Sequence, residues 1–185
     1  MSVSKFFRQT VLTASLLGVG FSLPAAAQER IPELLDQLKQ AEPDAAKRLT
    51  REIRLEWSQS GSVAVNMLLE RGRDALEEKD YTTAVGHLTA VTDHAPDFAE
   101  GFHTRARAYA AMKLYGPAIA DLGRTLQLNP VHFQAFYGLG VLFAEFGDVR
   151  RAEDAFTRAL DLHPNFEEAQ EALKRLERQG IGRTL

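Results

Sequence analysis

The 185-residue chain contains no cysteine. That removes disulfides, thiolate nucleophiles and cysteine-ligated zinc, and with them any lipid anchor carried on a cysteine. Basic residues are in no excess: 22 Lys and Arg stand against 25 Asp and Glu, a formal net charge of −3. A phosphate-backbone partner asks for a basic stripe, so no nucleic acid partner is expected. Serine is scarce beyond residue 27, where Ser58, Ser60 and Ser62 share one polar stretch and none sits in a nucleophile elbow. There is no H-E-x-x-H and no phosphate-cradling glycine loop. The histidines, His87, His94, His103, His132 and His163, are never three or four residues apart, so no single helix carries a metal pair. His94 and His163, beside prolines, are expected in a satisfied or surface role. Glu77-Glu78 and Glu167-Glu168 are neighbours in sequence and therefore point to different parts of a helix surface, not into the shared cleft a hydrolase needs. The expectation is a chain with no catalytic residues, no cofactor and no metal.

Long apolar runs are missing as well. The longest apolar stretch of the N-terminus, Val11 to Leu23, has thirteen residues, short of the roughly 20 a bilayer-spanning helix needs. It follows Lys5 and Arg8 and precedes Pro24 and Ala25-Ala26-Ala27. Positive start, apolar middle and small residues before Gln28 make the pattern of a secretory signal peptide over 1–27, with no twin arginine. Losing Lys5 and Arg8 from the 22 basic residues leaves 20 against 25 acidic ones, a net charge of −5. The expected location is the periplasm, with no membrane span in the mature chain.

What is present is a repeat. From residue 65 the chain divides into blocks of 34 residues, 65–98, 99–132 and 133–166, closed by Pro96, Pro130 and Pro164. Gly72, Ala106 and Gly140 occupy one column and Ala84, Ala118 and Ala152 another, small residues where two helices must approach closely. Leu68, Phe102 and Phe136, then Ala75, Tyr109 and Phe143, fill the space around them, and Leu88, Leu122 and Phe156 face them from the second helix. Apolar residues thus recur at helical intervals, and the prolines end each second helix. Asp80 and Asp148 stand where an N-cap is wanted. Asp97 with Glu100, and Asn165 with Glu168, read as capping boxes.

Over residues 65–166 and a terminal helix this pattern resembles the tetratricopeptide-repeat (TPR) family, whose repeats are 34 residues long. The resemblance implies an all-α solenoid: TPR 1 over 65–98, TPR 2 over 99–132 and TPR 3 over 133–166. Arg71 and Arg105 stand where the family has leucine, and their heads are expected to reach water past apolar stems. Residues 167–179 form a C-terminal capping helix with the stripe Phe166, Ala169, Leu173 and Leu176, ended by Gly180 and followed by a frayed tail, 180–185. Residues 28–64 carry two more helices, a degenerate repeat or N-terminal cap, although Arg51 replaces the small alanine and no terminal proline is present.

The resemblance also implies a concave groove lined by the first helices of the pairs, which binds a peptide segment of another protein. Its expected positions are Asn66, Leu69 and Arg73, then Glu100, His103 and Arg107, then Gln134, Tyr137 and Val141. Arg73 and Arg107 with His103 and Tyr137 suit a carboxylate or an acidic peptide. The lysine/asparagine clamp of chaperone-docking TPRs is absent, Leu69, Arg73 and Thr104 standing there. The function expected is a periplasmic adaptor or scaffold for an envelope protein. The alternatives are self-association into a homo-oligomer through the convex face or the array ends, and an enzyme with an unrecognised site.

Overall fold

A computed structural model describes residues 25–181. Those residues form α-helices α1 (Ala25–Gln40), α2 (Pro43–Trp57), α3 (Val63–Glu77), α4 (Tyr81–His94), α5 (Ala99–Ala111), α6 (Tyr115–Leu128), α7 (Phe133–Glu145), α8 (Val149–Leu162) and α9 (Glu167–Ile181), with no strand among them. The signal peptide reading lies outside the described residues except for Ala25, Ala26 and Ala27, which open α1. None of the described helices is long and apolar enough to cross a membrane.

The pairs α3–α4, α5–α6 and α7–α8 are the three repeats. Each turn inside a pair has one geometry. Lys79, Lys113 and Gly147 sit at φ 61°, 60° and 72°, the left-handed conformation that reverses the chain after a helix. The next residue closes the motif: Asp80 N donates to Ala75 O at 2.9 Å, Leu114 N to Tyr109 O at 2.8 Å, and Asp148 N to Phe143 O at 2.9 Å. Asp80 and Asp148 then cap α4 and α8, accepting from Thr83 N and Arg151 N at 3.1 Å each. The second helices stop at His94, Leu128 and Leu162, with a single C-cap residue between each end and its proline.

Small residues set the distance within pairs. A Cβ on Gly72 would lie 2.6 Å from Leu88 Cγ, and one on Gly140 would lie 2.5 Å from the Phe156 ring. Gly101 does the same between repeats, 2.6 Å from Val91 Cγ1.

Three expectations are corrected here. Arg105 does not direct its head out to water, and its side chain is only 15% exposed. It makes a bidentate pair with Asp121 at 2.7 and 2.8 Å, donates to Thr92 Oγ1 at 2.7 Å, and lies against the Phe102 and Tyr109 rings. The capping boxes do not form as read: Phe98 is the N-cap of α5, Glu100 turns inward, and Asn165 donates to Ala41 O at 2.6 Å. Helix α9 runs through Gly180 to Ile181, because an isolated glycine weakens a helix without ending it; residues 182–185 of the tail lie outside the described residues.

The N-terminal pair holds the largest difference. As a degenerate repeat it would stack on α3. Instead Leu34, Leu35 and Leu38 of α1 and Ala46 and Ile53 of α2 share a core with Phe133, Ala159, Phe166 and Ala169. The hairpin therefore folds back along the turns that join the repeats. Thr50 Oγ1 meets His163 Nε2 at 3.0 Å, and Trp57 stacks on His132 with centroids 4.4 Å apart. Leu38 and Ile53 are fully buried, each contributing about 1.5–3 kcal/mol of apolar transfer. His163 is accordingly buried between Phe133 and Phe166 rather than on the surface.

Candidate functional site

Folding back brings the C-terminal half of α2 over the concave side of the array, and the candidate site is the slot beneath it. One end is polar: Arg51, Arg54, Leu55 and Ser58 of the hairpin face Arg73, Glu77 and Arg107 across a cavity of about 340 Å3. The other end is mainly apolar, about 350 Å3 between α5 and α7, where Tyr137, Val141, Leu142 and Phe166 meet Gln134 and Glu168. Arg54 and Arg107 border both cavities, so the two lie side by side.

Charge is unevenly committed in the slot. Arg73 is held by Glu70 at 2.8 Å and Glu100 at 2.6 Å, and donates to Ser58 Oγ at 2.9 Å. Arg51, Arg54 and Arg107 make no ion pair among the described residues. Arg107 is an exposed residue whose side chain borders both cavities. Burial, with the charges of Arg54 and Arg73, lowers its pKa from the ordinary arginine value, while guanidinium stays charged in any accessible range.

Under the polar end lies a buried lock. Glu100 Oε1 accepts from Arg73, and Oε2 lies 3.1 Å from His132 Nε2 and 3.4 Å from His103 Nδ1. Burial raises the Glu100 pKa, but the neighbouring imidazoles of His103 and His132 outweigh it and hold the carboxyl well below the usual range; the Arg73 guanidinium on Oε1 acts in the same direction. His103 is pushed down to about 4, first by burial and then by His132, so it is neutral near pH 7.

Glu100, His103 and His132 place ligand-type atoms within 4.8 Å of one another; Glu100 and His103 are three residues apart on α5, but His132 is brought in by the fold. The donor set does not suit a cation. His132 caps α7 by accepting from Ala135 N at Nδ1, 3.2 Å away, so its proton sits on Nε2 and is donated to Glu100. A metal needs the lone pair that this tautomer lacks, and Arg73 already holds the remaining carboxylate oxygen. The cluster ties α3, α5 and α7 together.

Several expected groove residues are therefore not groove surface. Leu69 is fully buried among Val65, Ala75, Leu88 and Ala108. Glu100 and His103 are buried in the lock. Asn66 is used by the link between α2 and α3, accepting from Ser60 N at 2.9 Å. The hairpin and that link cover positions an open solenoid would leave to solvent. Arg107, Gln134, Tyr137 and Val141 do converge on the slot, with Val141 42% exposed. Arg51, Arg54, Leu55 and Ser58 were not expected there. Their only sequence signal is that Arg51 and Arg54 lie on the face of α2 away from Ala46, Leu49 and Ile53.

A tetratricopeptide-repeat family model matches residues 103–165. A TPR repeat-containing protein of Rhizobium etli is 33% identical over 153 residues, covering 82% of this chain and 75% of that one. The chain belongs to the tetratricopeptide-repeat family. The all-α TPR fold is matched in solved structures too. The first TPR domain of Spaghetti (RPAP3), bound to the HSP90 peptide SRMEEVD, superimposes with a TM-score of 0.61 at 24% identity, over 64% of this chain and 94% of that one. The MamA protein gives 0.59 at 21% identity, over 86% of this chain and 85% of that one. TPRs are protein-interaction folds, and in this TPR chain the surface that such a role needs is narrowed to a slot by α2.

Proposed function

We propose that the chain is a non-enzymatic protein-interaction module of the periplasm, an adaptor whose slot takes a peptide segment of an envelope protein. The observation that carries this reading is the pair of adjoining open cavities under α2, one mainly apolar and the other lined by uncommitted arginines. A cleft with both characters can hold a segment by apolar burial and fix its direction by charge. The peptide-bound RPAP3 domain supports the same use of the fold. The signal-peptide pattern of residues 1–27 supports the location, and N-terminal sequencing of the exported protein is expected to begin at Gln28; an intact N-terminus would count against it.

The test is a crosslinking pull-down from the periplasm with wild type and an Arg107→Glu/Val141→Glu variant. Both positions are exposed, so the variant is expected to stay folded, as circular dichroism would check. Arg73 and Tyr137 are poorer choices, since Arg73 holds Glu100 and Tyr137 packs on Phe156 and Phe166. A partner captured by wild type and lost by the folded variant supports the slot. Equal capture rejects it.

One observation favours a second reading, self-association through the start of the array. Because the hairpin folds back, Val63 and Met67 of α3 remain 78% and 53% exposed. A gel-filtration mass above the monomer, reduced by Met67→Glu and not by Arg107→Glu, would support that reading over the first.

A further inference from the structure

We infer that the slot selects an acidic peptide segment with an adjacent apolar side chain, and that α2, a helix outside the repeats, supplies the charge selection; this rests on the peptide-binding reading above. The residues first expected to hold a carboxylate are mostly committed elsewhere: Arg73 to Glu70 and Glu100, and His103 to the interior. The uncommitted cations are Arg51 and Arg54 on α2 and Arg107 on α5, facing one another across the polar cavity. Only Glu77 lines that cavity with negative charge.

Three unpaired guanidinium groups in one cleft are notable in a chain where acids outnumber bases. Their mutual repulsion is relieved by an anion between them, and the lowered pKa of Arg107 has the same cause in part. Arginine presents a planar fork of donors that matches a carboxylate with two parallel hydrogen bonds. The apolar cavity begins where Arg54 and Arg107 end, lined by Leu122, Tyr137, Val141 and Leu142. An extended segment with Asp or Glu between the arginines therefore places a neighbouring apolar side chain over Val141. The repeats alone contribute Arg107; the selection for acid needs α2 in place.

Selection of random heptapeptides displayed on phage against the exported protein tests this. Wild type is expected to enrich Asp and Glu beside one aliphatic or aromatic residue. A synthetic copy of the leading peptide should bind at least about tenfold more weakly to Arg51→Glu/Arg54→Glu, and more weakly at higher salt. Selection on that variant should enrich Lys and Arg instead, an outcome that an unfolded variant does not give. No enrichment of acids on wild type, or the same acidic peptides on the variant, overturns the inference. Peptides that lack acids yet are lost with Val141→Glu leave the peptide-binding reading standing and remove only the acid selection. Failure to recover any peptide that depends on Arg54, Arg107 or Val141 removes both.

Discussion

Alanine at Gly140 and alanine at Gly86 are the same substitution in the same kind of helix, and they are expected to change stability in opposite directions. Both glycines lie in helix interiors, where alanine is better by about 0.8–1.0 kcal/mol. At Gly86 a Cβ meets nothing within 4 Å, so the propensity gain stands alone. At Gly140 the Cβ would sit 2.5 Å from Phe156, a ring that is 1% exposed and held by Tyr137. Overpacking of that kind costs about 1–3 kcal/mol, occasionally more. Subtracting the propensity gain leaves Gly140→Ala destabilised by up to about 2 kcal/mol. For a chain of this size 1 kcal/mol moves Tm by roughly 2–4 °C. Calorimetry should therefore show a loss of up to about 8 °C for Gly140→Ala and a gain of about 2–4 °C for Gly86→Ala. Phe156→Leu restores the pairing of Ala106 with Leu122 in the second repeat, so the double variant should lose less than the two single changes together. A Gly140→Ala protein as stable as Gly86→Ala would refute the claim that the glycine column sets the helix spacing.

The buried lock gives a pH dependence. His103, lowered from 6.5 to about 4 in the folded chain, is neutral there while the unfolded chain takes up a proton. Stability should thus fall as pH drops from about 6.5 to about 4, at up to roughly 1.4 kcal/mol per pH unit. His103→Asn should flatten that window in urea titrations; an unchanged slope would reject the assignment. Glu100 has a depressed pKa, so its contribution is present above about pH 4.3, the unfolded value, and disappears as pH falls through the folded one. Glu100→Leu at pH 7 leaves His132 and Arg73 without their acceptor. It should cost about 2–3 kcal/mol, under the full penalty of a broken buried pair, because Arg73 keeps Glu70. A loss below about 0.5 kcal/mol, the size of an ordinary surface change, would contradict the lock. Lys113→Gly should stabilise by about 0.5–1 kcal/mol, since φ is 60° there and glycine adopts it freely; a destabilised variant would count against the turn geometry.

The repeat was legible because its constraints are local and recur. The distance of sixteen residues from Gly72 to Leu88 and from Gly140 to Phe156 is one helix pair folded on itself, and Asp80 and Asp148 announce their caps in place. Arg105 was misread for a reason the same spacing supplies: Asp121 lies sixteen residues on, and the pair had only to be sought at the distance already known. The hairpin was a different problem. Leu34, Leu35, Leu38 and Ile53 bury equally well against a preceding position in the stack or against Phe133 and Phe166, and helical periodicity does not choose between them. With the hairpin misplaced, the slot was misdrawn: Glu100 and His103 were counted as surface, and Arg51 and Arg54 were left out. His132 shows the limit most clearly, since its roles as helix cap, donor to Glu100 and stacking partner of Trp57 join three segments distant in sequence.

The central claim is that the slot is the working surface. A photo-crosslinking amino acid placed singly at Val141, at Val63 and at Phe146 tests it in living cells. These exposed positions report the slot, the start of the array and a turn on its edge, respectively. The expected result is an adduct with another protein at Val141 that disappears with Arg107→Glu, and none at the other two. Adducts confined to Val63 or Phe146, or a Val141 adduct indifferent to Arg107→Glu, would contradict the account.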